Sequence, residues 1–377
     1  MTEEQRAKKK QYAGEKKASM KRRDDGHDYT ERRMYMITLE VEGRLPLFGR
    51  LVGDAFAPDG SGNEPRIELT ELGKAVQSEW MGIHAYYPQI EVVAVQMMPD
   101  HMHGILFVTA PLPVHLGQVI TGFKAGCRKA QRAIAEMAAG SPQPTEKGGR
   151  TYQRAETTAA SPQPTEKGEG ASTAMAVLRS QQAAAPPSQG SRPYQPLFAK
   201  GYNDLILRSY DELPAWQNYL KDNPRRLMMK RCTPTFLRPF FSLQKGTHTY
   251  SGIGNRELLI AAQRIPVILS RHLTEKDIER EVSNHLEQAR QGAVMVSASI
   301  STPEKKVMRA VFNAGYPTVV VLENGFTSLS KPHGEQFYAC ARGTLLMLSP
   351  WEHHNEKRPL TREMCRQLNL MVLELCE

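Results

Sequence analysis

The sequence predicts an α+β domain of ferredoxin-like, split βαβ order, followed by an α/β domain with a Rossmann-like sheet. Three observations support this prediction. Strand and helix patterns follow in the order β-α-β-β-α-β between Met34 and Ser209, with one further helix to Asp222, if one low-complexity segment is set aside. After Gly246, short β-rich runs alternate with helices, which is typical of a parallel sheet covered on both faces. The net charge of +9 lies almost wholly in the first part, because residues 247–377 contain 15 Lys and Arg against 14 Asp and Glu.

The first domain begins with the alternating strand MYMITLEV and continues with the amphipathic helix LTELGKAVQSEWMGIHAYY. Two strands then flank a tight turn at Pro99-Asp100, and a long helix follows. Ser209 and Glu212 have the spacing of a capping box before the last helix, and Pro224 restricts its end. The predicted strands are Met34–Val41, Glu91–Met97, Met102–Val108 and Asn203–Ser209, and the predicted helices are Leu69–Tyr87, Leu116–Met137 and Tyr210–Asp222.

Two segments are predicted to be disordered, a basic tail at residues 1–28 and an insertion at residues 138–193. The insertion is rich in Ala, Ser, Pro, Gln and Thr, and the octapeptide SPQPTEKG occurs in it twice. Neither copy has the apolar residues that a stacked repeat needs. We therefore predict a first domain at residues 29–246 that contains the insertion, and a second domain at residues 247–377.

The second domain has four β-rich runs with helical stretches between the first three. A Ser/Thr-rich loop precedes the second helical stretch, where Thr302 can cap the helix and Pro303 suits its first position. Such a loop could present backbone amides to an anion, but no G-x-G-x-x-G occurs there, which excludes a standard dinucleotide site. The predicted strands are Ile265–Ser270, Ala293–Ser299, Thr318–Asn324 and Thr344–Pro350, and the helices are Glu275–Gln291 and Glu304–Ala314.

Two histidines stand close together in the stretch MMPDHMHGILFV. In a strand, residues i and i+2 share a face, so His101 and His103 project side by side while Met102 points the opposite way. Two imidazoles in this arrangement can bind one divalent metal ion. The other interpretation of the spacing is a pair of partly exposed histidines on a solvated sheet face. Asp100, after Pro99, is expected to form the turn and is not assigned to the site.

The stretch MPDHMHGILFV, in this order of elements, resembles the HUH motif of single-tyrosine HUH transposases, including the REP-associated tyrosine transposases. The resemblance implies a ferredoxin-like fold and a nucleophilic tyrosine on a helix after the fourth strand. The chain provides Tyr219 in the sequence YLKDNPRR, with Asn223 four residues later on the same side of the predicted helix. Tyr202 and Tyr210 are weaker candidates, since neither has this asparagine partner. A boundary tyrosine that only packs its ring is the alternative for Tyr219.

The resemblance also implies the chemistry. Tyr219 would attack a DNA phosphate to form a 5′-phosphotyrosine, while His101, His103 and Asn223 would hold Mg²⁺ or Mn²⁺. The substrate would be single-stranded or hairpin DNA, and the protein a DNA transposase. Whether subunits exchange the tyrosine helix in a homodimer stays open.

Basic residues form two groups near these motifs. Lys124, Arg128 and Arg132 recur every four residues on one predicted helix, and Arg225 and Arg226 follow the tyrosine. We expect them to contact DNA phosphates, although a solvated helix face is the alternative for each.

Residues 292–326 are similar to the Rossmann-like domain of DNA-processing protein A, a resemblance that implies binding of single-stranded DNA. A structural or dimerising role for this domain is the alternative. The widely scattered cysteines, and the lack of a signal peptide or a long apolar run, predict a cytoplasmic protein without a membrane partner. Two other functions stay open: a domesticated, non-cleaving nucleic-acid-binding protein of the same fold, and a C-terminal domain that senses nucleotides.

Overall fold

A computed structural model describes residues 26–140, 196–356 and 358–377. The predicted tail at 1–28 and insertion at 138–193 lie outside these ranges, except for residues 26–28 and 138–140. The chain has a mixed α/β structure that divides into two compact units. Unit 1 comprises Met1–Gly49 and Leu69–Tyr210, and unit 2 comprises Arg50–Glu68 and Asp211–Glu377.

Unit 1 contains a four-stranded antiparallel sheet and the helices that cover it. The strands are β1 (Met34–Glu40), β4 (Ile90–Met97), β5 (His101–Val108) and β6 (Asn203–Leu207), and the helices are α1 (Glu71–Met81), α2 (Ile83–Tyr86) and α3 (Leu116–Gly140). A two-stranded hairpin, β2 (Gly49–Val52) and β3 (Arg66–Leu69), lies between β1 and α1 in the chain and was not predicted.

The sheet of unit 1 has the strand order β4-β5-β1-β6, with every neighbouring pair antiparallel. Met102, Leu106 and Val108 of β5 are buried in a core cluster with Trp80 of α1 and with residues of α3. The predicted strands and helices of this region are all present, although Gly82 divides the predicted helix Leu69–Tyr87 into α1 and α2.

Gly104 explains how α1 approaches the middle of β5. A Cβ atom at this position would lie 2.2 Å from Cζ2 of Trp80, which is itself fully buried. The absence of a side chain therefore lets the indole pack directly on the backbone of the strand that carries the histidines.

Unit 2 is built around a six-stranded sheet. Its strands are β7 (Phe240–Lys245), β8 (His248–Gly254), β9 (Arg264–Pro266), β10 (Val294–Ser297), β11 (Thr318–Val321) and β12 (Leu345–Ser349). Its helices are α4 (Leu213–Cys232), α5 (Glu275–Arg290), α6 (Thr302–Asn313), α7 (Gly334–Ala341) and α8 (Arg362–Cys376).

The strand order in this sheet is β7-β8-β12-β11-β10-β9. The four predicted strands, β9 to β12, are parallel to one another, and the β7–β8 hairpin adds to β12 in the antiparallel direction. Alternate residues of β10 to β12 pack against α8 in one core cluster and against α5, α6 and α7 in two others. Helices therefore cover both faces, as the sequence pattern predicts.

The division between the units differs from the predicted boundary at residues 246 and 247. These residues form the turn of the β7–β8 hairpin, where Gly246 has a φ of +57°. The tyrosine helix α4 also belongs to unit 2, because Met229 is buried in a cluster with Phe337 and Cys340 of α7.

Two predictions about the tyrosine helix need correction. The capping box of Ser209 and Glu212 does not form, because Tyr210–Glu212 is a 3-10 turn and Glu212 occupies the N-cap without a side-chain hydrogen bond. The helix also continues through Pro224 to Cys232. Packing of the second half in unit 2 compensates for the backbone hydrogen bond that proline removes. In the described residues, no helix is long and apolar enough to cross a membrane.

We predict that Gly104→Ala destabilises the protein, because the added methyl group would overlap the Trp80 indole. The expected loss of unfolding free energy, measured by urea denaturation, is about 1 to 3 kcal/mol. Gly122→Ala is the matched control, since a Cβ at this exposed position of α3 would meet nothing within 4 Å. Equal stability of the two variants would contradict the packing argument.

Candidate functional site

The two histidines lie side by side on β5. Their ring centroids are 4.9 Å apart, and the ring planes are at 86° to each other. His103 is opposite Thr38 of β1, and His101 is opposite Glu40. Met102, between them, is fully buried in the core of unit 1. The alternation of the strand thus presents both imidazoles on the sheet face opposite the one packed by Met102.

An oxygen atom holds Nδ1 of each ring. Thr38 Oγ1 lies 2.8 Å from Nδ1 of His103, and Asp100 Oδ1 lies 2.6 Å from Nδ1 of His101. Metal-binding histidines usually have such a partner on the nitrogen that does not contact the metal, since it fixes the tautomer and the ring orientation. A metal ion would therefore be held through Nε2 of each ring.

Asp100 has a larger role than the turn former that the sequence suggests. Its second carboxylate oxygen lies 3.4 Å from Nε of Arg44, and its backbone carbonyl accepts a hydrogen bond from Val41 N. Sequence reasoning missed Thr38, Asp100 and Arg44 as partners of the histidines. The position of Asp100 directly before His101 was the one available signal.

Burial, together with the nearby charges of His101 and Arg44, lowers the pKa of His103 to about 4. The ring is therefore neutral at neutral pH. Since only the neutral imidazole can coordinate a metal ion, this shift favours metal binding.

Tyr219 and Asn223 lie one turn apart on α4, as predicted. Tyr219 is 41% exposed, and its ring meets Trp216 edge to face at a centroid distance of 5.7 Å. Asn223 is only 9% exposed, and its Nδ2 atom has no hydrogen-bond partner among the described residues. A buried amide that the fold leaves unsatisfied usually has a partner that the protein chain does not supply.

The structure places His101 beside His103 and Tyr219 one helical turn from Asn223. His101 and His103 belong to unit 1, whereas Tyr219 and Asn223 belong to unit 2. Within the described ranges, no group of three or more His, Cys, Asp and Glu side chains that could hold a metal ion is present.

The competing tyrosines have different surroundings. Tyr202 is buried in the core cluster of unit 1, which separates its hydroxyl from a large substrate. Tyr210 is 53% exposed, and its ring contacts Phe107 edge to face.

Lys124, Arg225 and Arg226, among the five predicted DNA-contacting residues, are held by contacts with other elements of the fold. Lys124 Nζ donates to the carbonyl oxygens of Ala199 and Gly201, at 2.9 and 2.6 Å. It therefore fixes the chain before β6, and its position gives no support to a phosphate contact. Arg128 and Arg132 are exposed on α3, and their contact with DNA stays a prediction.

Arg225 and Arg226 are also part of the fold of unit 2. Arg225 donates to the carbonyls of Ala55 and Ala57 and to the carboxylate of Asp59, at 2.9, 2.7 and 2.6 Å. The guanidinium of Arg226 lies 4.1 Å from the ring centroid of Phe337. Arg225 is therefore paired with a carboxylate, and Arg226 is oriented by an aromatic ring, so both guanidinium groups already serve the fold.

The predicted anion site in the second domain is filled by the protein itself. The helix cap is Ser301, one residue before the predicted Thr302, and it forms a capping box with Glu304. The buried carboxylate of Glu304 accepts hydrogen bonds from the backbone amides of Leu269, Ile300 and Ser301. These three amides therefore already have a partner within the protein, and the nucleotide-sensing role stays untested.

Comparison with known proteins shows distant similarities. No protein-family model matches the chain. An uncharacterized protein from Haemophilus influenzae is 24% identical over 131 residues, which cover 29% of this chain and 67% of that protein.

Three solved structures show limited similarity. DNA processing protein A from Helicobacter pylori has 19% identity and a TM-score of 0.27, over 36% of this chain and 60% of that chain. The Streptococcus pneumoniae protein of the same name has 17% identity and a TM-score of 0.28, over 42% and 59%. This chain thus spans about three fifths of each. A REP-associated tyrosine transposase bound to a REP hairpin has 10% identity and a TM-score of 0.25, over 52% and 70%. These low scores identify neither a family nor a function.

We predict that metal-free wild-type protein loses stability relative to a His103→Gln variant as the pH falls from 6.5 toward 4. In this window the unfolded chain binds more protons than the folded protein, because burial depresses the folded-state pKa of His103. The stability contributed by neutral His103 is therefore complete above pH 6.5 and is lost as the pH falls through the folded pKa. Urea denaturation should show that the difference in unfolding free energy between wild type and His103→Gln changes by roughly 3 kcal/mol across this pH window. A constant difference would contradict the burial of this ring.

We also predict that Arg225→Ala lowers the unfolding free energy, because Ala55, Ala57 and Asp59 lose their donor. The expected loss is about 2 to 4 kcal/mol. Arg128→Ala, at an exposed position of α3, should stay within about 0.5 kcal/mol of wild type. Similar unfolding midpoints for the two variants would show that Arg225 is not structural.

Proposed function

We propose that this chain is a metal-dependent DNA-processing enzyme of the HUH type, which cleaves and rejoins single-stranded or hairpin DNA through a phosphotyrosine. The observation that carries the proposal is the pair of imidazoles on β5, each with Nδ1 held by an oxygen at 2.8 Å or less. Histidines that merely face solvent do not need this orientation. The proposal assigns unit 1 as the HUH domain, whose β-α-β-β-α-β order and strand order β4-β5-β1-β6 suit the ferredoxin-like fold.

The residues present fit a divalent metal. His101 and His103 offer two pre-oriented nitrogens, and the buried side chain of Asn223 carries an amide oxygen, a ligand type that divalent metal ions accept. We assign these three residues as ligands, with Asn223 binding through its amide oxygen. Imidazole suits Mn²⁺ better than Mg²⁺, although both are compatible with a phosphate substrate. When bound, the metal would polarise the scissile phosphate and orient it for attack.

Tyr219 has the exposure that a nucleophile for a large substrate requires. Its hydroxyl oxygen would form a bond to phosphorus as the bond from phosphorus to the 3′ oxygen breaks. The tyrosine gives up its proton, and the departing 3′ oxygen takes up a proton to become a hydroxyl group. The resulting phosphotyrosine conserves the energy of the broken bond, so attack by a 3′-hydroxyl can rejoin the strand without ATP.

Arg128 and Arg132 are the remaining candidates for contact with the DNA backbone. Both are exposed on α3, so they can reach phosphates without disturbing the core. Binding through such residues releases counterions and weakens as the salt concentration rises.

A covalent-capture assay tests the proposal. The protein is incubated with labelled single-stranded hairpin DNA and Mn²⁺, and the product is examined on a denaturing gel. We expect a protein–DNA adduct that disappears in Tyr219→Phe and after chelation of the metal. Asn223→Ala should reduce adduct formation by at least about tenfold if the amide is a metal ligand.

Tyr210→Phe is the matched control, because Tyr210 is also exposed and lies nearby in sequence. It should form the adduct at the wild-type rate. An adduct that persists in Tyr219→Phe would overturn the assignment of the nucleophile. DNA binding without any adduct across a diverse pool of hairpins would favour the non-cleaving nucleic-acid-binding protein instead.

A further inference from the structure

The tyrosine helix has a weak point beside the residues assigned to catalysis. Pro224 lies inside α4 and has no backbone N–H, so the carbonyl of Leu220 loses its usual helical partner. Tyr219 precedes this break and Asn223 adjoins it. A helix that lacks a hydrogen bond at this point can bend, and a bend here would change the direction of the half that carries Tyr219.

One tyrosine hydroxyl of α7 bridges the two sides of this break. Tyr338 donates its hydroxyl hydrogen to the carboxylate of Asp222, which lies before Pro224. The same hydroxyl oxygen accepts a hydrogen bond of 3.1 Å from Nη1 of Arg226. Arg226 lies after Pro224. Asp222 and Arg226 are four residues apart, so the bridge overlaps the turn Leu220–Pro224, in which the backbone hydrogen bond is absent, and joins a residue before Pro224 to one after it.

The surroundings make this bridge rigid. The Arg226 guanidinium stacks on Phe337, with 4.1 Å to the ring centroid, and Phe337 is buried in the core of unit 2. Arg225 Nε lies 3.9 Å from the carboxylate of Asp222, while its other nitrogens bind the loop at residues 55–59. Met229 anchors the second half of α4 in the same core. The fixed half of the helix can therefore hold the half that carries Tyr219, provided that the bridge is intact.

The charges agree with a role for Tyr338 as a donor. Burial, with the Asp222 carboxylate beside it, raises the pKa of Tyr338, so the hydroxyl keeps its proton. The carboxylate thereby receives a hydrogen bond from the hydroxyl and faces a guanidinium, which compensates for its partial removal from water.

We propose that Tyr338, through Asp222 and Arg226, is a positioning residue that fixes the direction of the Tyr219 helix across Pro224. This role rests on the proposed function, in which Tyr219 is the nucleophile. A residue of the second unit thus sets the direction of the helix that carries Tyr219, and Tyr338 itself contacts neither DNA nor metal in this assignment.

The test compares Tyr338→Phe with wild type in the covalent-capture assay and by hydrogen exchange. Loss of the hydroxyl should lower the maximal rate of adduct formation about tenfold, the effect of one lost hydrogen bond on the position of the nucleophile. The DNA concentration that gives half-maximal rate should not change. The backbone amides of residues 217–223 should exchange about tenfold faster, whereas those of α6 should not change.

Two further variants separate positioning from general stability. In an Asp222→Ala background, Tyr338→Phe should have no additional effect on rate or exchange, because the link from Asp222 to Arg226 is already broken. Tyr316→Phe is the matched control, since Tyr316 is half-buried in a different cluster of unit 2 and should change neither quantity.

The outcomes distinguish this role from the proposed function. If wild type forms the adduct and Tyr338→Phe matches it in rate and exchange, the positioning role is overturned and the enzyme assignment stands. If wild type forms no adduct, the enzyme assignment fails. In that case, unchanged hydrogen exchange at residues 217–223 in Tyr338→Phe would still contradict a stabilising role for the bridge. Faster exchange would show that the bridge stabilises the helix, independently of catalysis.

Discussion

The direction of the two imidazoles depends on the register in which β1 pairs with β5. Thr38 stands opposite His103 in this register, so its hydroxyl reaches Nδ1 of the ring. A shift by one residue would turn every side chain of the strand to the other face, which would bury the histidines and expose Met102. The register is fixed from the opposite face, where Met102 lies in the core and Gly104 receives the Trp80 indole. A packing constraint on one face therefore orients the chemistry on the other.

Elements with strong periodicity were predictable from the sequence because burial alone dictates them. The strand containing His101 and His103 and the parallel strands of unit 2 belong to this group. The β2–β3 hairpin was missed because four-residue strands carry too little pattern to recognise. The helix through Pro224 was missed because local propensity argues against it, and only contacts with residues distant in sequence maintain it. The same reason applies to the partners of the histidines, since the pairing of Thr38 with His103 is a property of the sheet.

The charge of the chain predicted a polyanion partner more readily than it predicted which residues would meet one. Lys124, Arg225 and Arg226 look in sequence like members of basic patches. In the fold, each bonds to backbone carbonyls, carboxylates or aromatic rings of its own unit. A positive residue satisfies a buried carbonyl or a folded loop as well as it satisfies a phosphate, and composition does not separate the two uses. Exposure separates the two uses better, and Arg128 and Arg132 are the two predicted contacts that are exposed.

The carboxylate of Glu304 bears on how the Rossmann-like sheet could be used. It accepts hydrogen bonds from the backbone amides of Leu269, Ile300 and Ser301, all of which precede α6, and it is tethered only three residues from the cap. A free phosphate competes with a tethered group at a disadvantage, since the tether gives the carboxylate a high effective concentration. An anion that binds at this loop would have to displace the carboxylate from three backbone amides.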